Sequence, residues 1–413
     1  MYFLYQLGVY LYYVFVRIAS LFNKKAMLWI QGRNAQQETF RTPLPASKRI
    51  WFHFASLGEF EQGRSVLEQI HQQYPAYKII ITFFSPSGYE IRKNYSLAER
   101  VYYLPLDTSA NAIEFYNHIN PSFVFFTKYE YWYHYIKEAN RRKIPLVVIS
   151  SIFRENQLFF KSYGNFQRKI LSLVNHFFVQ NVKSKELLNS IQITNVSIAG
   201  DTRFDRVYEH SLNPTVDKCI QGFSTGAEVF VAGSTWPKDE ELLVEFSKAF
   251  PNFKYIIVPH EIGESKVQYL QKLFGEKSAL YSEYKEKDIP AGINVLIVDT
   301  IGLLNSIYKI AKYTYIGGGF GVGIHNTLEA AAYGMPIFFG PNYQKFSEAK
   351  DLIANRAASS INNSDELIQL VQVLENDKKL HQEISRVAKD YVYDQKGATK
   401  IILDYIRQYN LIN

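Results

Sequence analysis

Tyr315–Pro341 reads YIGGGFGVGIHNTLEAAAYGMPIFFGP, and the fold is decided by how this stretch is read. A β-rich run, Tyr313–Ile316, ends in Gly317, Gly318 and Gly319, continues through Gly321 and Gly323, and is expected to enter a helix near His325. A second β-rich run, Pro336–Phe339, follows. Strand, helix and strand in that order form the crossover unit of a parallel sheet. Glycines let the backbone approach a ligand closely, and free N–H groups at a helix start favour phosphate. The spacing is not the GxGxxG dinucleotide fingerprint, which fails at its last glycine. Asn326 and Glu329 stand three apart, so on a helix they share one face, where a carboxylate suits the two hydroxyls of a ribose. A tight turn followed by a capped helix would give the same spacing.

The alternation extends outward from this block. Upstream of it, Glu228–Ala232, Tyr255–Val258 and Val295–Val298 are strand-like, with helical stretches between. Earlier still come Ile50–Ala55, Tyr77–Phe84, Val101–Leu104, Phe123–Thr127, Leu146–Ser150, His176–Val179 and Val196–Ala199. The pattern predicts an α/β protein of two Rossmann-like, doubly wound domains facing a cleft, with ligands at the strand carboxyl ends. Residues 206–227 hold Pro214, Gly222 and Gly226 without a clear strand and read as a linker. The expected division is 1–25 as a membrane anchor, 26–205 as the first domain and 228–413 as the second. Fold alone does not select among dehydrogenases, epimerases, binding proteins and nucleotide-sugar transferases.

The chain of 413 residues is 47% hydrophobic and 21% charged, as a folded globular protein is. Its net charge of +7 is concentrated at the start, where residues 1–50 carry seven Lys or Arg and only Glu38 in opposition. Such a segment faces nucleic acid or an anionic membrane, and the residues between the charges favour the membrane. Residues 1–16 are uncharged, about 24 Å as a helix against a hydrocarbon core of roughly 30 Å. Tyrosines at 2, 5, 10, 12 and 13 suit an interface, and Lys24 and Lys25 follow the run. The expectation is an anchor, shallow or just spanning, at an anionic cytoplasmic membrane face, with anionic lipids as partners and no nucleic acid. A buried first helix is the alternative. Cys219 is the only cysteine, which excludes an intramolecular disulfide and a cysteine metal cluster.

Two further strand ends carry chemistry. Gly233-Ser234-Thr235-Trp236-Pro237 precedes the acidic run Lys238–Glu241, the pattern of a helix N-terminus. Ser234 and Thr235 would either bond a ligand phosphate or cap that helix. Ala55-Ser56-Leu57-Gly58-Glu59 closes the first strand, and Glu59 is a candidate general base for an acceptor hydroxyl or a helix-start acid.

Taken in order, these pieces resemble the Kdo transferases of lipopolysaccharide synthesis, which move 3-deoxy-D-manno-oct-2-ulosonic acid from CMP-Kdo to a lipid A precursor. The resemblance rests on His53 through Glu59, Pro105-Leu106-Asp107, Glu130 with Trp132, Gln180, Gly200 with Phe204-Asp205, Gly233–Thr235, Pro259 with His260 and Glu261, Asp299–Gly302, Gly317–Glu329, and Gly340-Pro341. It covers nearly the whole chain. It implies a GT-B fold and an inverting glycosyltransferase with no metal and no cofactor beyond the donor. It assigns catalysis to Glu59 with Glu130. Donor contacts fall to Ser234, Thr235, His260, Glu261, Gly317, Gly318, Gly319, Asn326 and Glu329. The sequence departs from the family pattern at Lys128-Tyr129-Glu130, where Glu-Thr-Glu is usual, and at Asp201, where Asn is usual. A GT-B enzyme using a UDP- or GDP-sugar, a nucleotide-sugar epimerase and an inactive membrane-bound sugar-binding protein are the rival readings.

Overall fold

A computed structural model describes residues 2–412. Among them the strands are β1 (Arg49–Phe54), β2 (Lys78–Phe83), β3 (Ala98–Tyr103), β4 (Phe123–Thr127), β5 (Leu146–Ser151), β6 (His176–Val179) and β7 (Val196–Ile198), followed by β8 (Val229–Thr235), β9 (Lys254–Pro259), β10 (Ser278–Leu280), β11 (Val295–Ile297), β12 (Tyr313–Ile316), β13 (Ile337–Phe339) and β14 (Ala358–Ser360). They form two seven-stranded sheets, in the orders β3-β2-β1-β4-β5-β6-β7 and β10-β11-β9-β8-β12-β13-β14. The central pairs β1 with β2 and β4, and β8 with β9 and β12, are parallel. The expected doubly wound α/β class is therefore present twice. β10 and β14 were not read from the sequence, because three residues are too short to show a period.

Helices cover both faces of each sheet, which is why strands such as RIWFHF (β1) are buried at every position instead of alternating. The chain's many rings go mostly into these cores. Phe52 stacks on Phe125 at 4.5 Å, and Trp51 meets Phe115, Tyr116, Phe126 and Tyr135 edge-on. Helices start where a short polar side chain closes the preceding turn: Ser56, Ser85, Thr108, Asn181 and Asn363 each accept a backbone N–H of the first turn.

The chain divides into one unit ending at Asp205 and regained from Lys396 onward, and a second spanning Arg206–Gln395. This differs from the expected division at two places. Residues 206–227 are not a bare linker but contribute helices Thr202–Leu212 and Lys218–Ser224, whose Val207, Ile220 and Phe223 are buried. The last helix, Ala398–Gln408, leaves the second unit and packs Ala398, Ile402, Leu403 and Ile406 into the core of the first. Asp205 fastens this return, its carboxylate accepting the backbone N–H groups of Gly397 and Thr399.

At the other end, helix Tyr2–Ala19 has no buried residue, and Asn23 caps the next helix, Lys24–Gln36. Among the described residues no single helix is long and apolar enough to cross a membrane. Only Tyr2–Ala19 and Lys24–Arg41 taken together reach that length and composition, and they are bent by 119°. Tyr5 and Tyr12 face the protein, against Tyr133, Phe166, Trp29 and Phe84. Phe3, Leu7, Leu11, Val14, Phe15 and Ile18 are exposed.

Candidate functional site

In each sheet the strand order reverses beside the first strand, between β1 and β4 and between β8 and β12. Crevices outside the strand carboxyl ends open at such points. The sequence candidates gather at these two places.

In the first unit, β1 runs out at Phe54 and Ser56 caps helix Leu57–Gln73, receiving the N–H of Gly58 at 3.2 Å. The Ser56 hydroxyl also donates to Glu59, so the first-turn carboxylate is oriented by the residue that begins the helix. Glu59 remains half-exposed. Its charge reaches Tyr129, whose phenol is pushed up first by burial and against which Arg154 acts in the opposite sense. Lys128 and Arg154 both lie within cation–π range of the Tyr129 ring, at 5.8 and 5.9 Å. The departure from the family pattern at Lys128 thus puts a cation over the Tyr129 ring.

Glu130 is held from the β1 side. His53, fully buried, bonds Thr82 through Nδ1 at 2.8 Å and Glu130 through Nε2 at 3.2 Å. The Trp132 indole donates to the same Glu130 oxygen at 2.5 Å, and Trp51 donates to Thr82 at 2.8 Å. An ionised carboxylate only accepts, so the His53 proton belongs on Nε2, with Thr82 donating to Nδ1. In the sequence His53 carries one signal for this role, a polar imidazole in the apolar run of β1. Lys128 and Ser150 stand at φ values of +65° and +52°, at the ends of β4 and β5. Left-handed backbone at bulky residues is costly and concentrates at functional sites. Asp201, the second departure, is buried and tied to Gln62 and Arg203, so its role is structural support.

In the second unit the organising residue is Asp239, which the sequence presented only as a helix-start acid. Fully buried, it accepts the N–H of Trp236 at 2.8 Å, the N–H of Gly318 at 2.8 Å and the hydroxyl of Tyr315 at 2.7 Å. One carboxylate therefore locks the start of helix Pro237–Ala249 to the glycine turn. Ser234 sits at φ +55° directly before it. Thr235 is buried and spends its hydroxyl on Glu240, which also receives Lys266.

Gly317, Gly318 and Gly319 are buried, and packing explains them. A Cβ on Gly317 would lie 2.3 Å from the Ser234 carbonyl, and one on Gly319 would lie 2.5 Å from the Gly340 nitrogen. The turn closes through Gly321 and Gly323, both of which donate to the Gly318 carbonyl at 3.0 Å. The helix begins at Leu328 and not near His325, since residues 323–327 form neither helix nor strand. Asn326 lies before it, accepting the Leu328 N–H at 3.1 Å and donating to Glu329 at 2.9 Å. The two expected ribose contacts are therefore neighbours, although not by sharing a helix face.

A ring stack not foreseen from the sequence completes the cluster. Trp236 lies over exposed His260 at 4.9 Å, His260 stacks on His325 at 4.3 Å, and the Trp236 indole donates to His325 Nε2 at 3.0 Å. Burial, then the neighbouring His260, lowers His325 to about 4. His325 is thus neutral at pH 7 and keeps its proton on Nδ1. Glu261 is exposed beside His260. Among the described residues no three His, Cys, Asp or Glu side chains gather as a cation site.

Residues 29–206 match the model of the 3-deoxy-D-manno-octulosonic-acid transferase (kdotransferase) family. A Kdo transferase of Chlamydophila psittaci is 27% identical, covering 84% of this chain and 80% of its own length. One of Rickettsia bellii is 26% identical over 97% of this chain and 94% of its own. A bifunctional glycosyltransferase/methyltransferase of Fusobacterium nucleatum is 24% identical over 88% of this chain, which spans only 58% of that longer protein. Among solved structures, UDP-GlcNAc 2-epimerase from Neisseria meningitidis superposes with a TM-score of 0.61 at 15% identity, covering 87% of this chain and 100% of the other. MurG of Acinetobacter baumannii gives 0.53 at 15% identity, covering 87% and 99%. These likenesses identify the fold as GT-B-like.

Proposed function

We propose that this glycosyltransferase is a Kdo transferase, which moves Kdo from CMP-Kdo to a lipid A precursor, lipid IVA, with inversion at the anomeric carbon. Glu59 takes the proton of the acceptor hydroxyl as its oxygen attacks that carbon. The bond to the phosphate oxygen breaks, and CMP departs with the electron pair. The observation that carries the reading is the Ser56-oriented, half-exposed carboxylate of Glu59 at the β1 carboxyl end, with the His53–Glu130–Trp132 network beside it. A positioned base of this kind contributes about 10² to 10⁴ in rate.

Glu130, held on one oxygen by His53 and Trp132, orients the acceptor sugar. On the donor side the Asn326–Glu329 pair receives the ribose hydroxyls, and the exposed edge of His260, with Glu261 beside it, meets the nucleotide. Ser234 and the backbone around Gly317–Gly319 meet the phosphate, while the Nδ1–H of His325 supplies a neutral donor. Thr235 supports this arrangement through Glu240 instead of touching ligand. Preorganised donors of this type stabilise the charge that develops on a leaving group. The exposed apolar face of helix Tyr2–Ala19, with Arg17, Lys24 and Lys25 at its end, rests on the anionic cytoplasmic face of the inner membrane, where the acceptor lies.

The test is a mass-spectrometric transfer assay in detergent, with CMP-Kdo generated in place and tetraacylated lipid A precursor as acceptor. Addition of Kdo mass by the wild-type chain but not by Glu59→Ala, with CMP bound equally by both, is the expected result. Transfer by Glu59→Ala at the wild-type rate removes the base assignment. CMP binding without transfer by either protein removes the acceptor. UDP or GDP binding in place of CMP favours the rival donors.

A further inference from the structure

Between helix Tyr2–Ala19 and the carboxyl ends of β2 to β4 lies a cavity of about 380 Å³ within the first unit. Leu4, Gly8, Val9, Tyr12, Leu106 and Trp132 line it. Its one charged lining residue, Asp107, is already spoken for: the carboxylate accepts the Tyr5 hydroxyl and the backbone N–H groups of His134 and Tyr135, at 3.0 and 3.3 Å. What the cavity offers a ligand is therefore hydrocarbon surface.

Two observations say what fills it. Trp132 is both a wall of the cavity and the donor to Glu130, so an occupant lies directly behind the candidate acceptor site. The opposite wall is the helix whose outer face exposes Phe3, Leu7, Leu11 and Phe15, so the cavity is the inner side of the same apolar element. Gly8 is informative too. Glycine inside a helix costs about 1 kcal/mol relative to alanine, yet a Cβ here would meet nothing within 4 Å. No neighbour's bulk requires glycine at this position, and its absent side chain leaves the cavity open.

We infer that this cavity is a subsite for one acyl chain of the glycolipid acceptor, seating the lipid so that its sugar hydroxyl meets Glu59. The inference rests on the transferase reading above and adds the part of the substrate that sets affinity. Each methylene moved from water to such a wall is worth about fourfold in binding.

The experiment measures kcat/KM for a fully acylated acceptor and for the same sugar stripped of its acyl chains, with wild type, Gly8→Leu and Phe15→Ser. Gly8→Leu places a branched side chain in the opening and favours the helix, so folding is kept. It is expected to lower kcat/KM for the acylated acceptor at least tenfold, through KM, and to leave the stripped acceptor unchanged. Phe15→Ser, on the outer face, is expected to weaken binding to anionic vesicles without changing that ratio in detergent. An unchanged ratio in Gly8→Leu, or an equal loss on both acceptors, overturns the subsite. Loss of transfer to both acceptors by wild type overturns the transferase reading itself, which is a different outcome. As a readout independent of turnover, an acceptor with a brominated acyl chain should quench Trp132 fluorescence in wild type and lose most of that quenching in Trp132→Phe. Equal quenching in both proteins would overturn the subsite as well.

Discussion

Asp239 and Ser234 show how much of the donor side rests on single residues. Asp239 satisfies two backbone N–H groups and one hydroxyl in a fully buried position, so removing it strands all three donors. Asp239→Ala is expected to destabilise the protein by more than about 2 kcal/mol and to abolish CMP binding, as read by urea unfolding and calorimetry. Ser234 holds a left-handed backbone that costs a serine about 1 kcal/mol. Ser234→Gly should therefore leave stability equal or higher while CMP affinity falls, because relief of strain and loss of the proposed phosphate contact act in opposite directions. A parallel loss of both would mean that Ser234 serves packing alone. The role of His325, like those of Asp239 and His53, was not legible in the sequence, since its partner Trp236 lies 89 positions away.

At the scale of elements, helix Ala398–Gln408 is the segment whose position was least visible in the sequence. Its hydrophobic stripe, Ala398, Ile402, Leu403 and Ile406, is that of an amphipathic helix but does not say which sheet it covers. It joins the core formed by Phe52, Val66, Ile70 and Phe178 in the first unit. Ile402→Ala should cost about 2 to 5 kcal/mol, and Asp205→Ala, which removes the cap, about 1 to 2. Both losses should appear as earlier unfolding of the first unit, followed by hydrogen exchange in β1 and β5. Protection lost in β8 and β12 instead would contradict the assignment. Helix Tyr2–Ala19 behaves differently, since Phe3, Leu7, Leu11, Val14, Phe15 and Ile18 are exposed while Tyr5 and Tyr12 pack against the protein.

For the whole molecule, buried histidines set the response to acid. Burial lowers His134, His176 and His325 from 6.5 to about 4, with Lys137 adding to the effect at His134 and His260 at His325. Between pH 6.5 and about 4 the unfolded chain takes up these protons and the folded chain does not. The stability they contribute is complete above 6.5 and is lost as pH falls toward 4. Asp107, raised to about 6 by burial, works the other way, favouring the fold as pH falls from about 6 to 3.8. His118 and His381, also lowered by burial, add to this loss, while Asp239 and Glu240, raised by burial, act with Asp107; the histidines outnumber the raised carboxyls, which predicts a net loss, seen as a falling urea midpoint. His176→Phe, which keeps the stacking on Tyr405, should flatten that fall by up to about 3 kcal/mol. An unchanged slope would show that His176 is protonated in the fold.

The sequence by itself determined the two doubly wound sheets, because strand runs buried on both faces are continuous and apolar and need no partner to be recognised. It also set the strand-end positions of Glu59, Ser234 and the glycine turn, since capping residues and glycines are local requirements. Only the tertiary structure decided which polar groups those positions satisfy. Thr235 turned inward to Glu240, Gly317 and Gly319 served close packing against Ser234 and Gly340, and Asn326 paired with Glu329 from outside the helix. Asp239, His53 and Trp236 became organisers because their partners lie on the strands set beside their own by sheet order, or in the turns that follow those strands. The same holds for the cavity behind Trp132, whose walls come from four separated segments of the chain and exist only once the first helix is docked.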